Sequence, residues 1–171
     1  MYIEQLLSIY SELRPLFFVI KKLSHAYKLN DPKNNGIRTY AIVLMLFLFL
    51  QENKMQEEMQ ENPNEKLGDL LLRFLYKFGY NYDYDYARVD DPESMILNLP
   101  DPINQRNNVG NQTDVYSLQR MFKAAYIILH TKSKGSRLQF IFESKNMFAW
   151  LNNLIKLYHF FAKENVSFSK A

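Results

Sequence analysis

Apolar residues fall into blocks along this chain, separated by short polar stretches, and their spacing predicts mostly helices. Tyr2 to Leu13 is predicted as a first amphipathic helix. A second starts near Arg14, with Pro15 in its first turn, where a missing N–H costs nothing. A third begins at Ile37, carries "AIVLMLFLFL" (Ala41–Leu50) and runs out into the polar "QENKMQEEMQEN" before Pro63. In "EKLGDLLLRFLYKFG", Leu67, Leu70, Leu71, Phe74, Leu75 and Phe78 form one stripe that ends at a glycine. The period then changes from helical to alternating. Tyr80, Tyr82, Tyr84 and Tyr86 of "YNYDYDYA" predict a half-buried strand, which "SMILNL" could pair with. Helices are predicted again at about Asp114–His130 and Asn146–Ala162. The fold class expected is mainly α with a small β element (α+β).

The run Ala41–Leu50 is about half as long as a bilayer-crossing helix requires, so it reads as a buried central helix and no membrane partner is expected. The N-terminus lacks the basic, apolar and small-residue pattern of a secretory signal, and an intracellular address, nuclear or cytoplasmic, is expected. At 171 residues the chain suits one domain, 1–171. It contains no cysteine, so bridges play no part. A net charge of +3 permits contact with polyanions without demanding it.

Self-sufficient catalytic chemistry is not visible. His25, His130 and His159 are too scattered for a metal set, and there is no glycine-rich phosphate loop of Walker or dinucleotide type. Asp83 and Asp85 flank Tyr84 and could imitate a carboxylate pair, but the alternation turns them to the solvent face. Two stretches are sharper. Lys21 and His25, four apart, share a face of the second helix, and after the turn "NDPKNNG" Thr39 and Tyr40 open the third. An ammonium, a hydroxyl and the positive end of a long helix suit a phosphate; equally, Thr39 could simply cap the helix and Lys21 point to water. The other is "DPINQRNNVG", residues 101–110, an irregular loop between two apolar-periodic segments.

Taken together, "LRPLFFVIKKL" with "GIRTYAIVLMLFLFLQ", then "EKLGDLLLRFLYKFGYNYDY", then "DPINQRNNVG" resemble, in that order, the central or PAP-associated domain of template-independent nucleotidyltransferases. The resemblance is to the Trf-type poly(A) polymerases, also called DNA polymerase sigma, with the Cid-type uridylyltransferases as cousins. It implies the helical central domain of a polymerase beta-like enzyme, with 101–110 as the nucleotide-recognition loop. By position it implies that Lys21 touches the nucleotide's phosphates, Thr39 replaces a serine in that role, and Tyr40 stacks on the base. Asp101 and Asn104 fall in the loop that closes over the base, and Asn107 reads its edge. Uridylyltransferases tend to have histidine at that last position and adenylyltransferases asparagine. Asn107 therefore points to ATP, whose base edge needs both a donor and an acceptor.

Departures accompany the matches. His25 stands where some relatives have a second lysine, and Arg38–Thr39 replaces Ser-Ser. In the family, the catalytic carboxylates and their Mg²⁺ or Mn²⁺ ions sit on a palm domain preceding "LRPL", so no catalytic or metal-binding residue is expected in this chain. The implied partners are ATP, an RNA 3′ end and a palm in cis or in trans. The alternative implied is a non-catalytic module that binds a zinc-knuckle RNA protein or a helicase in a tailing or surveillance complex.

Overall fold

The computed structural model describes residues 2–57, 67–86 and 95–131. Five α-helices dominate them: α1 (Tyr2–Ile9), α2 (Leu13–Ala26), α3 (Thr39–Glu57), α4 (Leu67–Tyr76) and α5 (Val115–Thr131). Among the described residues no helix is long and apolar enough to cross a membrane.

α3 is the core helix. Ala41, Ile42, Leu44, Met45 and Leu46 are all but fully buried, because apolar residues on every side of a helix must be covered on every side. α2 lies against it through Leu16, Ile20 and Leu23, which recur at helical spacing. At the other end, Phe74 of α4 meets Phe49 and Phe122 edge-to-face, with ring centroids 5.5 and 5.6 Å apart. The predicted stripe of α4 is buried from Leu70 to Phe78, but Leu67, the helix's first residue, is exposed.

Three boundaries differ from the sequence expectation. The first helix stops at Ile9, and a turn through Tyr10–Glu12 separates it from α2. The third starts at Thr39, with Ile37 still in the turn, where its N–H donates to Leu29 O at 2.7 Å. The strand predicted from Tyr80 is wrong at its beginning. Lys77–Asn81 forms a π-turn that extends α4, placing Tyr76 and Tyr80 in a ring stack 5.3 Å apart. Gly79 makes this possible, since a Cβ there would lie 3.1 Å from the backbone N of Lys123 on α5. The strand proper is two residues, β1 (Asp85–Tyr86), paired antiparallel with β2 (Met95–Ile96) in the register Asp85 to Ile96 and Tyr86 to Met95. Asp83 and Asp85 are exposed while Tyr84 is buried, as the alternation implied. The predicted helix at Asn146–Ala162 lies outside the described residues.

Burial of the tyrosines has a pH consequence. The Tyr84 hydroxyl donates to Phe78 O at 2.7 Å inside the core, and burial raises the pKa of Tyr27, Tyr82 and Tyr84, helped for Tyr82 by the charges of Asp85 and Asp83. The folded state holds these protons to higher pH than the unfolded chain, whose phenols titrate near about 10. Their contribution to stability is therefore intact below about pH 10 and is lost as pH rises above it. In an alkaline titration, phenolate absorbance from these residues should appear together with loss of far-ultraviolet circular dichroism. Full tyrosine ionisation with the helical signal intact would contradict their burial.

Candidate functional site

Two turns bring distant residues together. The first follows α2. Asp31 caps a 3₁₀ turn at Pro32–Asn34 by accepting from Lys33 N at 3.0 Å, Asn35 adopts a left-handed conformation (φ 56°), and Gly36 N donates to Asp31 O at 2.9 Å. Gly36 has to be glycine, since a Cβ would sit 2.6 Å from Leu29 O. The chain is thereby reversed tightly enough for the start of α3 to face the middle of α2. Lys21 Nζ donates to Thr39 Oγ1 at 2.8 Å. Thr39 is exposed and Lys21 half-buried, and the first turn of α3 presents backbone N–H groups that the helix itself does not use.

The second turn is the 101–110 loop. Its neck is closed by an isolated bridge between Pro100 and Asn108, with Val109 N donating to Leu99 O at 2.9 Å. Asn108 holds the neck from inside: its Oδ1 accepts from both Leu99 N and Gly110 N, each at 2.9 Å. Beyond the neck, Asp101 N donates to Asn107 O at 2.9 Å and Asn107 N to Asn104 O at 2.8 Å. The loop is tied to the first turn by Asp114 N donating to Asn35 O at 2.7 Å and by Arg38, whose guanidinium donates to Gln112 Oε1 at 3.1 Å.

Asp101 joins the two halves. Its carboxylate accepts from Ile103 N at 3.0 Å, from the Tyr40 hydroxyl at 3.1 Å and, more weakly, from Asn107 Nδ2 at 3.4 Å. The Ile103 N–H, followed by the Tyr40 and Asn107 side chains, lowers its pKa below the usual carboxylate range. At neutral pH the group is thus an acceptor only, and it fixes Tyr40 and the Asn107 amide in one place.

Of the residues singled out in the sequence, Lys21 is bonded to Thr39, and Tyr40 and Asn107 are bonded to Asp101, the two sets meeting at the chain neighbours Thr39 and Tyr40. Asn104 contributes its backbone carbonyl, while its side chain is exposed. His25 lies one turn beyond Lys21 on the exposed face of α2, outside the hydrogen bonds that join the others. Asn108 escaped the sequence reading, although an asparagine two residues before a glycine is the signal for a side chain that bonds its own turn. Among the described residues no group of three or more His, Cys, Asp or Glu is placed to hold a metal ion.

The ammonium of a half-buried lysine and an exposed hydroxyl beside a helix N-terminus, next to an aromatic ring anchored by a loop that carries an exposed asparagine, can receive a phosphorylated aromatic ligand. Neither protein-family models nor curated proteins give a match to the sequence. Solved structures do. A cytoplasmic RNA terminal U-transferase superposes with a TM-score of 0.62 at 18% identity, covering 81% of this chain and 59% of that one. Cid1, an RNA terminal uridylyl transferase, gives 0.61 at 18% identity over 80% and 57% of the two chains. The described fold is thus shared with part of these structures. A histidine-to-asparagine mutant of the Cid1 poly(U) polymerase, bound to MgATP, superposes equally well, with a TM-score of 0.61 at 18% identity over 81% of this chain and 57% of that one. This chain thus spans less than two thirds of each of these transferase structures.

Proposed function

We propose that this chain is the nucleotide-binding central domain of a template-independent RNA nucleotidyltransferase that prefers ATP and extends RNA 3′ ends. The observation that carries the reading is that Lys21 bonds Thr39 while the next residue, Tyr40, bonds Asp101, which Asn107 also reaches, in a fold shared with part of a terminal transferase. Lys21 and Thr39 hold the triphosphate, the Tyr40 ring stacks on the base, and Asn107, steadied by Asp101, meets the base edge.

The preference for ATP rests on Asn107, which has a donor and an acceptor on one amide. The Cid1 structure that concerns UTP selectivity and holds MgATP carries a histidine-to-asparagine change, and this supports asparagine as an ATP-compatible choice in this fold. The catalytic step belongs to a palm domain outside this chain, in cis or in trans. Cations held there would supply Lewis-acid stabilisation for transfer of AMP from ATP to the RNA 3′-hydroxyl, with pyrophosphate leaving.

Primer extension tests this. With a palm supplied, RNA should be extended from ATP, and Lys21→Met should raise KM for ATP about tenfold or more by removing a charge-assisted bond to phosphate. Extension that is indifferent to Lys21→Met would remove the triphosphate from this site. The non-catalytic alternative draws on the departures at His25 and Arg38–Thr39; it predicts capture of a zinc-knuckle or helicase partner with no response to ATP.

A further inference from the structure

Charge is not spread evenly along the chain. From Leu13 to Arg38 there are six lysines or arginines and one acid, Asp31, a balance of +5 in a chain whose total is only +3. Asp31 is engaged in its own turn, accepting from Lys33 N at 3.0 Å and from Asn34 Nδ2 at 2.7 Å. The basic excess therefore belongs to α2 and the turn after it, and the rest of the chain is net acidic.

Helical spacing gathers part of this charge on one face. Arg14, Phe18, Lys21 and His25 follow one another at intervals of four, three and four, so they share the side of α2 turned away from the buried Leu16, Ile20 and Leu23. No acid lies within α2, and Glu12, its N-cap residue, is the nearest in sequence. Arg14, Phe18 and His25 are exposed, while Lys21 is bonded to Thr39 at the edge of the nucleotide site. Lys22 is exposed beside them but already engaged. Arg14 makes no side-chain hydrogen bond or ion pair with the described residues. Phe18 is 62% exposed, more than any other large apolar side chain on the described helices, and its ring meets that of Phe17 edge-to-face with centroids 5.6 Å apart.

We infer that this face of α2 holds the single-stranded RNA substrate beside the nucleotide site, with a base stacking on Phe18 and phosphates meeting Arg14 and His25; the inference rests on reading the domain as part of an RNA nucleotidyltransferase. An exposed ring among cations on a helix face without acids suits a strand of any sequence, since every base has a face to stack and every nucleotide a phosphate. From Arg14 to His25 the helix rises about 16 Å, enough for a few nucleotides. An acidic protein would match the charge but not the single ring. A docking helix needs apolar anchors at successive turns, and α2 exposes one.

Fluorescence anisotropy of the whole chain with a labelled single-stranded RNA of about 12 nucleotides, without ATP, tests this. Phe18→Leu keeps an apolar side chain but removes the ring, and should weaken binding about tenfold; Phe18→Trp should bind at least as tightly as the unaltered chain. Arg14→Gln should weaken binding and reduce the slope of log affinity against log salt by about 0.7. Both side chains are exposed, so these variants should melt like the unaltered chain. Equal affinity for Phe18→Leu and the unaltered chain would overturn the inference, as would an unchanged salt slope in Arg14→Gln. No RNA binding at all would do the same and leave the face to an acidic protein. RNA bound through Phe18 by a chain that fails to bind ATP would refute the nucleotide site alone, and ATP bound by a chain that ignores RNA would refute this surface alone.

Discussion

Replacing Asn107 with histidine should move a palm-complemented enzyme from ATP toward UTP, lowering the ratio of kcat/KM values for ATP over UTP by about ten- to a hundredfold. An amide presents a donor and an acceptor side by side, whereas an imidazole offers one of each at opposite ends of a ring. A base edge that mismatches its partner leaves polar groups unpaired at a cost of about 1–3 kcal/mol. The structure adds a reason to expect a clean result. Holding the turn before Val109 and Gly110 is the task of the neighbouring Asn108, whose Oδ1 accepts from Leu99 N and Gly110 N. Asn107 is exposed and its side chain reaches only toward Asp101, at 3.4 Å. Asn107→His should therefore leave melting nearly unchanged, while Asn108→His should destabilise the loop. An unchanged nucleotide ratio with Asn107→His would take this residue out of base recognition.

Gly110→Ala should be among the most damaging single changes available, costing about 3 kcal/mol and lowering the melting temperature by roughly 10 °C. A Cβ at this position would lie 2.2 Å from Leu97 O and 2.7 and 2.9 Å from Leu97 side-chain atoms. Leu97 is fully buried beside β2, so neither backbone nor side chain has room to yield. The damage should reach the loop as well, because Gly110 N is one of the two donors that orient Asn108. Gly68→Ala is the control. Nothing lies within 4 Å of a Cβ there, and on α4 alanine favours the helix by up to about 1 kcal/mol. Differential scanning calorimetry of both variants measures the contrast; a Gly110→Ala protein that melts like the unaltered chain would show that the neck of the loop can relax.

Much of this was legible in the sequence where a single period dominates. The apolar run Ala41–Leu50 reads as a helix too short to cross a bilayer and is buried apart from Phe47 and Leu48, and the stripe Leu70–Phe78 faces the core. The tyrosines from Tyr76 to Tyr86 were ambiguous because two periods overlap there. Tyr76 and Tyr80 are spaced by four, as in a helix, while Tyr80, Tyr82, Tyr84 and Tyr86 are spaced by two, as in a strand. Packing decided it: Gly79 lets the chain approach Lys123, and the helical spacing wins as far as Asn81. At the site, Lys21 and Thr39 were close enough in sequence for their meeting to be foreseen. The bond from Tyr40 to Asp101 spans 61 residues, and local pattern carries no information about it; only the resemblance of the loop to a known family suggested that they share a purpose. Asn107 and Asn108 illustrate the finest limit. Two adjacent identical residues have different tasks, and only the direction of each side chain tells them apart.

Binding of ATP by Lys21, Thr39, Tyr40 and Asn107 can be measured directly. Titrating ATP into the isotopically labelled chain, and following backbone and side-chain amide resonances, tests this without any catalytic partner. Shifts should saturate together at Lys21, Thr39, Tyr40, Ile103 and the Asn107 side-chain amide, with weaker shifts from UTP and none from ATP in Lys21→Met at the same concentrations. Saturable shifts confined to other surfaces, or no saturable shift anywhere, would contradict it.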